Sequence, residues 1–180
     1  MKILHLSYSG SKGGASRAAI RIHQSLLKKK INSHFKVSIK NRSKKNLQNV
    51  IQPDFLNNLI NLFKSGVESL ISNLLKKEKL SKNSISLFPS REHKNINNSE
   101  YDIIHLHWIN GETISIEDIE KIKKPIVWTL QDMWPFSGSE HYTFQASQKK
   151  NNFEKNNIFS NLNISNYAFE RKKKAWKNNI

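Results

Sequence analysis

The sequence predicts an α/β fold, a doubly wound parallel sheet in one domain with helices on both faces. Three observations carry this. The runs KILHLSY at 2–8, YDIIHLHW at 101–108 and PIVWTL at 125–130 are short, apolar and rich in β-branched residues, as buried parallel strands are. Segments with apolar residues at helical spacing lie between them. A glycine-bearing turn joins the first run to the first helix, which is how a βαβ unit begins. No period repeats along the chain, which excludes a solenoid.

The first strand leads into Ser9 to Gly14. A helix follows, with Ala15, Ala18, Ala19, Ile22, Leu26 and Leu27 on one stripe and small residues early, where they allow close packing on a sheet. Lys28 to Lys30 suit the negative end of its dipole. HFKVSIK at 34–40 alternates as a second strand. Residues 41–54 are polar and expected as loop. From about 55 to 77 a helical insert is expected, its apolar stripe running Leu56, Leu59, Ile60, Phe63, Val67, Leu70, Ile71, Leu74 and Leu75. Lys64, Glu68 and Lys76 mark its polar face. Packing of the stripe against the domain is the first expectation, and lying on a membrane surface the second.

Residues 81–100, broken by Pro89, are expected to be irregular. Ser115 with Asp118 three residues on has the capping-box spacing, and Ile116, Ile119 and Ile122 give that helix one buried stripe. Pro125 is tolerated at the first position of the last strand. The domain is thus placed at 1–142. A polar loop at 143–165 and a terminal helix at 166–180, anchored by Phe169 and Trp176, complete it.

The 180-residue chain carries a net charge of +16 and no cysteine, which excludes disulfides and thiolate metal sites. The start of the chain has no secretory leader pattern and no run reaches membrane-spanning length, so a cytoplasmic protein is expected, at most peripheral to an anionic membrane. The lysines are interleaved with asparagines, without a stacking platform or helix-turn-helix signature. Nucleic acid is therefore not the expected partner.

Ligands of a doubly wound sheet bind at the carboxyl ends of its strands, and three candidate sites fall there. The first is Gly13-Gly14, where a bare backbone and free helix N–H groups favour a phosphate, with Ser11, Ser16 and Arg17 as further donors; a plain tight turn is the alternative. The second is His105-Leu106-His107-Trp108. Both histidines share a strand face, and they can ligate zinc with Asp132 or His141. A satisfied core His105 beside a cleft-lining His107 and Trp108, suited to a sugar, is preferred. The third is Gln131-Asp132-Met133-Trp134, where a carboxylate and an indole can bind a sugar or serve as turn cap and core cover. Neither a GxSxG elbow nor a catalytic carboxylate pair is present.

The segments MKILHLSYSGSKGGASRAA, YDIIHLHWINGETISIEDIEKIKKPIVWTLQDMWPFSGSEHY and RKKKAWKN resemble the N-terminal domain of family 4 glycosyltransferases. The likeness is to a bacterial subgroup with HLHWIN and a W-T-L-H-D-M-W-x-F-[ST]-G block. It covers roughly residues 1–40 and 99–142 well. It implies a Rossmann-like half of a GT-B enzyme, with metal-independent, retaining transfer from a nucleotide-sugar to a glycan or lipid-linked acceptor. By resemblance, Gly13, Gly14, Ser16 and Arg17 approach the donor phosphates, and His107, Trp108, Asp132 and Trp134 line the acceptor and sugar side. No metal or cofactor is implied.

Three departures follow. Gln131 stands where the subgroup commonly has histidine, Ser139 and a cysteine-free stretch replace a cysteine cluster, and the family's donor domain with its acidic motif is not expected within these 180 residues. The expectation is a chain inactive alone, completed by a separate donor domain or acting as a glycan- or membrane-surface-binding module.

Overall fold

Strand β1 (Lys2–Ser7) is the centre of the sheet, and both of its neighbours run parallel to it. The structure is a computed structural model that describes residues 1–11, 13–40, 47–75, 82–142 and 164–177. After β1 come α1 (Gly13–Lys28), β2 (Asn32–Val37), β3 (Val50–Ile51), α2 (Phe55–Leu75), α3 (Glu92–Asn97), β4 (Ile103–Leu106), α4 (Ile116–Glu120), β5 (Ile126–Trp128) and α5 (Ile164–Trp176). The sheet order is β3-β2-β1-β4-β5, all parallel. This is the Rossmann-like arrangement, and the chain reverses its direction of winding between β1 and β4.

Side-chain alternation gives the sheet two different faces. Leu4, Leu6, Ile104 and Leu106 join Ile116, Ile119, Trp134 and Trp176 in the larger core, beneath α4 and α5. The opposite face carries Phe35 and Val37 against Ala19 and Ile20 of α1. His5, beside Phe35 in the β1–β2 register, lies on that second face. The predicted α/β fold is therefore observed, with helices on both sides of one parallel sheet.

Several expectations change. The 41–54 stretch contributes β3, whose Val50 and Ile51 pair with Phe35 and Lys36. The 81–100 stretch contains α3, which buries only Ile96. In α5, Phe169 is not an anchor: it is 42% exposed, while Ile164, Ala168, Lys172, Ala175 and Trp176 are buried. The Ser115 cap forms as expected, its hydroxyl accepting from Asp118 N at 3.2 Å. The loop expected at 143–165 falls almost entirely outside the described residues.

The largest correction concerns α2. Its apolar stripe faces outward, with Phe55 81%, Phe63 70%, Leu74 68% and Leu56 64% exposed, while the residues it buries are Glu68 and Ser72. The reason is hydrogen bonding. Glu68 Oε1 accepts from Ile85 N at 2.7 Å and Ser86 N at 2.9 Å, Asn61 Nδ2 donates to Ser38 O, and Ser65 Oγ meets Tyr8 Oη. The polar side of the helix satisfies backbone groups that burial would otherwise leave unpaired. No helix among the described residues is long and apolar enough to cross a membrane.

Candidate functional site

The carboxyl ends of β1, β4 and β5 share one edge of the sheet, so the three sequence-predicted motifs meet there. Two contacts fix the meeting. Gln131, just past β5, donates from Nε2 to Ala15 O in the first turn of α1 at 2.9 Å. Trp108, just past β4, donates from Nε1 to Asp132 Oδ2 at 2.7 Å. Strand β1 joins through Tyr8, whose backbone N donates to Trp108 O at 2.9 Å.

At the glycine turn, Gly13 has φ 83°, a left-handed conformation that favours glycine. A Cβ on Gly13 or Gly14 would meet nothing within 4 Å among the described residues, so the space over the start of α1 is open. Gly13, Gly14 and Arg17 are exposed and Ser16 is buried. The first turn of α1 holds no acidic residue, leaving the positive end of its dipole uncompensated there.

Asp132 is the hub of the third motif. Its carboxylate accepts from Trp108, from His141 Nδ1 at 2.5 Å and from Trp134 N at 3.1 Å. Burial alone would raise its pKa, yet these hydrogen bonds and the charge of His141 outweigh burial and hold it below the ordinary value. His141 Nε2 in turn meets Ser84 Oγ at 2.9 Å. Ser84 and His141 are brought together by the antiparallel bridge between Asn83 and Glu140. The zinc alternative through Asp132 or His141 therefore fails, because both groups are spent on one another, on Trp108 and on Ser84.

Trp134 does not line the rim. It is 1% exposed, stacks edge-on with Trp176 and donates from Nε1 to Ser84 O. It is core cover, the alternative reading of its motif. The Lys172 ammonium lies 3.7 Å over its ring and donates to Trp134 O and Gly138 O, shaping the 134–138 loop from below.

His107 is also covered, at 1% exposed. Its Nε2 lies 2.9 Å from His5 Nδ1 on the neighbouring strand. In either tautomer of this pair, one ring nitrogen keeps a proton and another keeps a lone pair. His5 Nε2 and His107 Nδ1 are those two atoms, buried without a partner among the described residues. Each such orphan costs about 1–3 kcal/mol. Burial, with the neighbouring imidazoles, lowers the pKa of His5 to about 3 and of His107 to about 2, so both are neutral. His105, expected as the core member, is only half-buried and meets Thr129 Oγ1 at 2.8 Å.

Beside the β1–β4 switch point, between Trp108 and α2, lies a cavity of about 360 Å³ lined by Tyr8, Ser65, Ser69, Ser72, Lys82 and Trp108, among others. Its size falls in the roughly 300–1,000 Å³ range of small-molecule sites. Lys82 Nζ stands 4.2 Å over the Trp108 ring. The Tyr8 ring packs edge-on to Trp108 at 5.5 Å. It also fits against Gly111, where a Cβ would come within 2.7 Å of it. Tyr8, Lys82, Ser84 and the α2 hydroxyls were not legible as site residues, since only the tertiary fold gathers them around Trp108.

No protein-family model, curated protein or solved structure matches this chain.

Proposed function

We propose that this domain is the acceptor-side half of a glycosyltransferase cleft, binding a glycan or lipid-linked saccharide for transfer from a nucleotide-sugar. The observation that carries the reading is the cavity walled by Trp108. An indole face accommodates the apolar C–H side of a sugar, while Tyr8, Ser65, Ser69 and Ser72 offer hydroxyls to its polar edge. Asp132 holds the indole in place through Nε1.

The donor diphosphate belongs at the open start of α1, with Gly13 and Gly14 allowing close approach and Arg17 exposed beside them. In the resembling enzymes a second domain supplies the nucleotide site. Gln131 sits between the two subsites, tied to Ala15 O. A glutamine can orient a sugar hydroxyl but cannot carry a proton near neutral pH, so transfer here relies on positioning. The reaction needs the donor-side electrostatics as well.

The exposed stripe of α2 favours a second element of the same reading, docking on an anionic membrane where lipid-linked acceptors reside.

The test is saccharide binding followed by the Trp108 indole signal in NMR. A panel of methyl glycosides and short glycans at millimolar concentration should shift that resonance, and Trp108→Ala should weaken binding by roughly tenfold or more. Absence of any saccharide response at Trp108 would remove the reading.

A further inference from the structure

Of the seven histidines in the chain, three bring their ring nitrogens into one place. His5 on β1 lies directly beside His105 on β4, and His107 follows two residues on, facing the same side of the sheet. Ligand nitrogens of the three lie within 4.8 Å of one another. His23 is close in space, with its ring centroid 5.6 Å from that of His5, but its nitrogens are taken by Ser33 Oγ and Gln48 O. His141 is spent on Asp132 and Ser84.

We propose that His5, His105 and His107 bind one divalent transition-metal ion of the zinc type, held between β1 and β4 beneath the rim. This site is separate from the saccharide cavity, and neither reading depends on the other.

The donor set selects the ion. Three imidazoles without a carboxylate or thiolate suit zinc, cobalt, nickel or copper and offer nothing to magnesium or calcium. Metal ligation requires neutral imidazole, and no carboxylate among the described residues is hydrogen-bonded to any of the three rings to hold it protonated. Thr129 Oγ1 engages one nitrogen of His105 and orients the ring, as partners of metal-bound histidines do. Three protein ligands leave a fourth position for water, the open pattern of a tetrahedral ion.

Loading requires a modest rearrangement. The rings lie nearly parallel, with 28° between His105 and His107 and 18° between His5 and His107. Convergence on one ion needs rotation about the soft imidazole torsion. The 2.9 Å separation of His5 Nδ1 and His107 Nε2 must also give way. Nitrogens around a tetrahedral zinc stand roughly 3.4 Å apart at Zn–N distances of about 2.0–2.1 Å. The shared proton moves to the other nitrogen of its ring, so no net charge is left behind. The ion has a way in. His105 is half-buried, and Val127, its neighbour in the β4–β5 register, is 48% exposed.

The experiment uses the full 180-residue chain without a polyhistidine tag, stripped by chelator and titrated with Zn²⁺ and with Co²⁺. The expected result is one ion per chain, with a Co²⁺ spectrum of four- or five-coordinate nitrogen ligation. On the wild-type chain, imidazole ¹⁵N resonances of His5, His105 and His107 should move on Zn²⁺ addition. His5→Gln and His107→Gln should each weaken binding by roughly a hundredfold or more, and His34→Gln should not. Failure of the wild-type chain to take up a stoichiometric ion overturns the proposal. So does a metal shift confined to His34, His93 or His141, a readout that stands even if the core variants fail to fold.

Discussion

Trp108 Nε1 donates to Asp132 Oδ2 at 2.7 Å, and this bond ties the segment after β4 to the segment after β5 at the rim. The same carboxylate holds His141 and caps Trp134 N, so one acidic side chain organises the segment that supports the Trp108 wall of the cavity. Its loss should be felt in both stability and binding.

Asp132→Asn is expected to destabilise the fold by about 2–3 kcal/mol, the magnitude of a buried charge-assisted hydrogen bond. The pH dependence has a definite sign. Asp132 has its folded pKa below the unfolded one, so its contribution is complete above the unfolded value, about 3.9, and fades as pH falls through the folded value. Denaturant midpoints of wild type and variant should differ at pH 6 and converge toward pH 2. A constant difference across that range would contradict the assigned role.

Glu112 predicts the opposite slope. Its carboxylate accepts from Leu87 N and Phe88 N, both at 2.8 Å. Burial, then the adjacent Glu68, raise its pKa to about 7. The folded state therefore binds more protons than the unfolded chain between about 4.3 and that value, and Glu112 withdraws stability as pH rises through this window. Glu112→Gln should flatten the decline between pH 5 and 7, read from urea midpoints at each pH. An unchanged decline would place its origin elsewhere.

Lys172 acts above that window. Desolvation lowers its pKa to about 7, despite its hydrogen bonds to Trp134 O and Gly138 O. From pH 7 to about 10 the unfolded chain is the more protonated state, so stability should climb by up to about 1.4 kcal/mol per pH unit. Lys172→Met should remove most of the climb while losing the donor to those carbonyls. Thermal melts at pH 7, 8 and 9 decide it. A variant that keeps the wild-type slope refutes the assignment.

What could be read from the sequence follows from physical differences among the elements. β1 and β4 announce themselves because central strands of a parallel sheet are covered on both faces and become nearly continuous apolar runs. β5 is legible from its β-branched run after Pro125, but it is the edge strand and not the buried one expected, with Val127 48% exposed. β3 is two residues long and α3 buries only Ile96, so neither leaves a periodic signal. Spacing locates the stripe of α2, but not which way it faces. Hydrogen bonds from distant backbone groups to Glu68 decide that. The shared rim is legible because strand ends of one parallel sheet must converge. The meeting of His5 with His107, or of Ser84 with His141, depends on register and on a bridge between segments 57 residues apart, where no local pattern exists.

The outward stripe of α2 yields the last prediction. Leu59 is 55% and Phe63 70% exposed, so changing both to glutamate should move the thermal midpoint little, as surface substitutions do. Vesicle binding should respond strongly. Each large apolar side chain gains up to about 1.5–3 kcal/mol on full burial, and partial insertion of two suffices for a tenfold effect. Two new acidic groups also oppose the attraction between a chain of net charge +16 and an anionic surface. Co-sedimentation with phosphatidylglycerol-containing vesicles should therefore fall at least about tenfold in Leu59→Glu/Phe63→Glu. Wild-type binding should persist in part at roughly 0.5 M salt, because apolar insertion is not screened. If the double variant binds as well as wild type, or salt abolishes wild-type binding outright, the attraction is diffuse charge and α2 is not the docking element.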